Sequence, residues 1–186
     1  MSSNIVRKHF TYDDCLRMAE TGILSPLERV ELIRGEILVM SPIGPRHAAA
    51  VDGTTEALIE CSARRAIVRS QTPVVLDRLA APQPDITLLR RRDDFYASQH
   101  PGAPDILLIV EIADSSLEYD MTVKLGLYAI LGITEYWVAD LKNNRLLVYS
   151  QPVGDTYREM REVHRGDSVA PHLLPDCLIP VALLLP

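Results

Sequence analysis

No two cysteines in this chain stand at close spacing. The three present, Cys15, Cys61 and Cys177, are far apart and form no CxxC motif. That suggests neither a disulfide framework nor a zinc site and leaves them as small apolar fillers. No apolar run approaches the roughly 20 residues that a spanning helix needs. The opening stretch MSSNIVRKHFTYDD carries no apolar centre of signal-peptide length. These absences predict a cytoplasmic protein with no membrane partner. Basic residues are not in excess either. A formal net charge of -6 weighs against a protein whose task is to coat nucleic acid, which needs clustered lysine and arginine, but leaves room for an enzyme acting on DNA. The local clusters Arg64-Arg65 with Arg69, and Arg90-Arg91-Arg92, read first as solvated surface charge. Internal repeats and low-complexity segments are absent.

The 186 residues are 47% apolar and 24% charged, a balance that folds and supports one domain over 1-186 with a substantial core. TYDDCLRMAETG predicts a helix with Thr11 as N-cap and Gly22 at its end. VELIRGEILVM reads as a hairpin turning at Arg34-Gly35. SPIGP breaks the chain, and RHAAAVDGTTEALIECSAR has the period of a helix, weakened in the middle by Gly53. Strands are expected in AIVRSQTPVVL, in PDITLL and, with the strongest signal, in ILLIVEI. A helix from Leu117 to Gly132 follows, with Ser115 and Glu118 spaced as a capping box. EYWVAD and RLLVYS form a hairpin around Asn143-Asn144, and the rest reads as a short strand pair with an apolar tail packed back. The pattern is mixed α/β (α+β), a central sheet flanked by helices.

Glu111 is the anomaly, a carboxylate near the end of a run of branched aliphatic residues. An unpaired buried carboxylate costs several kcal/mol or more, so it must be paired, protonated, exposed at a strand end or bound to a cation. If PDITLL and ILLIVEI are neighbours, Asp85 and Glu111 project from adjacent strand ends, and two such oxygen donors suit a hard divalent cation such as magnesium. Lys124 lies on one helix face with Met121, Leu125 and Tyr128, and that face points it toward the strand ends. The alternative is a surface ion pair between Lys124 and Asp120. Glu31 is a fourth candidate, or an exposed hairpin residue. His47 reads as a phosphate or metal contact or as a structural histidine. Gln71, placed in a strand, points into the same cleft or out to water.

The strings VELIRGEILVMSPIGPRH, QPDITLL and LLIVEIADSSLEYDMTVKLGLYAILGITEYWVAD together resemble the Uma-two family, a branch of the PD-(D/E)XK nuclease-like superfamily. The resemblance spans about Tyr12 to Tyr149. It implies a restriction-endonuclease-like fold, a magnesium or manganese site, and hydrolysis of phosphodiester bonds in DNA or RNA by an endonuclease that can act as a homodimer. Asp85 matches the PD acid, Glu111 the acid of the second core strand, Lys124 a lysine moved onto the following helix, and Glu31 the acid of the ELI-GE segment. In the wider superfamily the lysine stands two residues after the second acid; here that residue is Ala113. Asp85 and Glu111 are thus expected to hold the metal, with Lys124 stabilising charge and Glu31 supporting it or a second cation. Two other functions are compatible with these residues. One is a non-catalytic nuclease-fold module binding nucleic acid or a protein, and the other is a metal hydrolase of small phosphate esters.

Overall fold

The computed structural model describes residues 6-25 and 27-186; residues 1-5, which open the N-terminal stretch read above, lie outside it. Helix α1 (Tyr12–Glu20) begins at Thr11, whose side chain and Asp14 close a capping box, and Gly22 follows it with φ +76. Strands β1 (Val30–Ile33) and β2 (Glu36–Val39) form the expected hairpin. Arg34 and Gly35 have φ 51 and 80, the two positive values of a tight primed turn. A Cβ at Gly35 would stand 2.6 Å from the Cβ of His9, so the position is closed to side chains twice over.

Helix α2 (Pro45–Ser62) follows, and its Gly53 has a reason the periodicity does not reveal. The Leu183 carbonyl of the C-terminal tail would lie 2.9 Å from a Cβ there. Strands β3 (Ala66–Ser70), β4 (Ile86–Arg90), β5 (Ile106–Ala113), β6 (Glu135–Asp140), β7 (Arg145–Val153) and β8 (Thr156–His164) form a six-stranded sheet in that order. All its neighbours run antiparallel except β5 and β6, which are parallel. A parallel pair needs a crossover. Here a helix in three parts supplies it: α3 (Leu117–Tyr119), a π-helical turn over Asp120–Lys124, and α4 (Leu125–Ile130).

All eight residues of β5 are buried because both faces are covered. Leu108, Val110 and Ile112 face α2 in one core cluster, while Ile109 and Ala113 join Tyr128 and Tyr136 in the other. Glu111 falls on that second face by alternation. Strand β8, with four charged residues among its nine, is a sheet member that the sequence reading does not include; β9 (Ser168–Val169) and β10 (Ile179–Pro180) are the expected short pair.

Three expectations are corrected. Cys61 and Cys177 are bonded to each other, with Cα atoms 4.7 Å apart across 116 residues of sequence, because the tail folds back on the end of α2; only Cys15 is free. The strand in AIVRSQTPVVL stops at Ser70, and Gln71, at φ 49, turns out of it. Ser115 and Glu118 do not close a capping box: Ser116 is the N-cap, and its hydroxyl donates to Asp120 instead. Among the described residues no helix is long and apolar enough to cross a membrane.

Candidate active site

The register Ile86↔Val110 sets Asp85 beside Glu111, one step further along each strand and on the same face. The two are joined directly. The Asp85 N–H donates to Glu111 Oε2 at 3.3 Å, and the Ile112 N–H donates to Asp85 Oδ2 at 2.8 Å. Lys124 Nζ donates to Glu111 Oε1 and to Glu31 Oε1, each at 3.0 Å. Four positions read from the sequence thus meet at one end of the sheet, at the base of a cleft of about 440 Å³. Glu31, Asp85, Glu111 and Lys124 are all buried.

The π turn is what brings the lysine in. Its extra residue per turn lets the Leu125 N–H reach the Asp120 carbonyl, and it separates the two charges that a regular i,i+4 pair would hold together. The surface ion pair between Lys124 and Asp120 is therefore not formed. Asp120 is itself buried and accepts from the Ser116 hydroxyl at 2.6 Å.

Two residues outside the predicted set hold the carboxylates. The Tyr128 hydroxyl donates to Glu111 Oε1 at 2.8 Å, and His47 Nε2 stands 2.9 Å from Asp85 Oδ1. The spacing Lys124 to Tyr128, one turn on the same helix face, was the available signal for the first. His47, open between two roles from sequence, contacts Asp85. Gln71 is not in the cleft; its backbone N–H binds the Asp85 carbonyl at 2.9 Å. The arginine clusters lie elsewhere and are largely engaged: Arg92 pairs with Asp94, Arg65 with Asp176, and Arg69 donates to the Phe95 carbonyl.

Burial drives the electrostatics. It pushes the Glu111 carboxyl well above the usual range, against the pull of Lys124, and the carboxylates of Asp85, Asp120 and Glu31 push it further. Burial also raises Asp120 to about 6. For Lys124 burial favours the neutral amine, but Glu111, Glu31 and Asp120 outweigh it and hold the ammonium protonated above its ordinary value. The hydrogen bond to Asp85 raises His47.

Four buried carboxylates against one buried lysine leave excess negative charge, and oxygen is the donor that hard cations take. The residues fit a divalent cation on this ground, although among the described residues no group of three His, Cys, Asp or Glu side chains is already set around one point.

A mixed sheet with two acids on adjacent strand ends and a lysine bonded to the second of them defines a restriction-endonuclease-like protein. The chain belongs to the Uma2 family, described as "Putative restriction endonuclease", whose model matches residues 12–182. Among solved structures it is similar to "a putative nuclease belonging to DUF820" from Anabaena variabilis ATCC 29413, with a TM-score of 0.73 and 17% identity over 94% of this chain and 97% of that one. At that identity the likeness establishes the fold. No curated protein matches the chain.

Proposed function

We propose that the protein is a nuclease that hydrolyses phosphodiester bonds, of DNA in the first place, with magnesium or manganese held by Asp85 and Glu111. The observation that carries this reading is the buried Lys124 ammonium, 3.0 Å from Glu111 although thirteen residues removed from it. Ala113, at the usual lysine position, is fully buried in the core.

Once bound, the cation supplies Lewis acidity, making water more acidic and offsetting charge on a phosphoryl oxygen. The chain's own groups do the rest. His47 and the Ile112 N–H fix the two oxygens of Asp85, while Tyr128 and Lys124 fix Oε1 of Glu111. Lys124 is no general base, because its surroundings keep it protonated. It is a fixed positive charge, aimed where negative charge develops in the transition state, and Glu31 orients it from the other side.

The net charge of -6 favours a second reading, a non-catalytic nuclease-fold module that binds nucleic acid or a protein partner. Incubation of plasmid, linear duplex and single-stranded substrates with magnesium and with manganese decides between them. Cleavage that Asp85→Asn reduces at least about 100-fold is the expected outcome. A folded wild type that cuts none of these substrates would move the reading to the non-catalytic module.

A further inference from the structure

Arg29, His47 and Lys124 are cationic groups lining the cleft. Lys124 is taken by Glu31 and Glu111, and His47 by Asp85. Arg29 has no carboxylate partner among the described residues, and its Nη2 nitrogen is buried without a hydrogen-bond partner. The hydroxyl of Tyr119, which lines the same cleft, is also buried and has no partner among the described residues. Buried donors are seldom left orphaned, because removal from water is then uncompensated. Two that line one cleft point to a missing acceptor.

Five carboxylates line the cleft; among the described residues none pairs with Arg29 or Tyr119, and all but Asp114 accept from other donors. Glu31 accepts from Lys124 and the Gln83 N–H, Asp85 from Ile112 and His47, and Asp120 from Ser116. The backbone explains why Arg29 points this way. Met40 N–H binds the Arg29 carbonyl, extending the β1–β2 ladder, so Arg29 and Glu31 are two residues apart in extended chain and share a face. The eighteen-residue α2 adds to the same sign of potential. It starts at Gly44 with no side-chain cap and no acidic residue in its first turn, and Gly44 and His47 both line the cleft.

We propose that Arg29 and Tyr119, beside the N-terminus of α2, form an anion subsite that receives a phosphate group of the substrate. The proposal rests on the phosphodiester reading and names the groups that grip the phosphate. A guanidinium suits the task because its planar fork offers paired donors to phosphate oxygens. Burial raises Tyr119 to about 12, so its hydroxyl remains a donor throughout the working range.

Inorganic phosphate titrated into the full chain, with and without magnesium and followed by calorimetry and amide NMR shifts, tests it without any need for turnover. Wild type binds phosphate. Arg29→Gln weakens binding about 10- to 100-fold, Arg29→Lys keeps part of it, and Tyr119→Phe weakens it by less, about 2- to 10-fold. Thr54→Val, which removes an orphaned hydroxyl of α2 outside the cleft, binds as wild type does. Circular dichroism melts identify any variant that fails to fold, in which case Arg29→Lys and Tyr119→Phe decide. Equal affinity in wild type and the folded Arg29 variants, or no binding by wild type at millimolar phosphate, overturns the subsite. Arg29-dependent phosphate binding in a protein that cuts no nucleic acid upholds the subsite and removes the nuclease reading. Cleavage unchanged in both Arg29 variants does the reverse.

Discussion

Lys124 keeps its charge at the base of the cleft because two carboxylates stand within hydrogen-bond distance of it, and each of those acids is tolerable there because of the lysine. This mutual dependence makes the consequences of substitution specific. Lys124→Ala is expected to lower cleavage about 100- to 1,000-fold while leaving magnesium affinity nearly intact, as measured by plasmid cleavage and by calorimetry. Lys124→Arg should rescue little, since a planar fork does not fit the place of a point charge between Glu31 and Glu111. Glu111→Gln removes a carboxylate that burial already drives toward its neutral form. In metal-free buffer above neutral pH the variant should therefore melt at or above the wild-type temperature, yet gain less stability from added magnesium. An equal gain in both proteins would show that Glu111 does not hold the cation.

The elements that carry these residues differ in how openly the chain announces them. The β1–β2 hairpin is fixed by Gly35, whose positive φ and contact with His9 leave no room for a Cβ. Gly35→Ala should cost about 1 to 3 kcal/mol in urea unfolding, and cleavage should fall with it because Glu31 rides on β1. The crossover helix is less transparent. Its apolar spacing marks a helix, but nothing in that spacing marks the π turn over Asp120–Lys124, which lies between the Ser116–Asp120 bond and α4, whose Tyr128 and Ala129 join Tyr136 in the core. Strand β8 is hidden in the sequence for a related reason. Its sequence TYREMREVH is exposed at most positions, and only pairing with β7 makes it part of the sheet.

For the whole molecule the buried acids set a pH dependence. Asp120 is raised from 3.8 to about 6 in the folded chain, and Glu111 is raised as well. Groups whose folded pKa lies above the unfolded value contribute stability that is full below the unfolded value and is lost as pH rises through the folded one. Metal-free protein should therefore lose stability as pH rises from about 4 through about 6, by up to about 3 kcal/mol from Asp120. Asp120→Asn should flatten the fall, and magnesium should reverse part of it. Asp94, whose carboxyl is held low by Arg92, works in the opposite sense and below that window. Melts of both proteins across this range, with and without magnesium, provide the measurement.

Glu111 in an aliphatic strand, Asp85 after a proline and Lys124 on an apolar helix face were legible because charge in an apolar context is costly and period fixes direction. So were the hairpin, β5 and helices α1 and α2, whose local patterns agree with their final surroundings. The Cys61–Cys177 bond, the turn of Gln71 out of β3, the hold of Tyr128 and His47 on the two acids, and the isolation of Arg29 were decided only by the tertiary structure. Each depends on which groups meet across tens of residues. A linear pattern specifies which face a side chain takes, but not what stands opposite it.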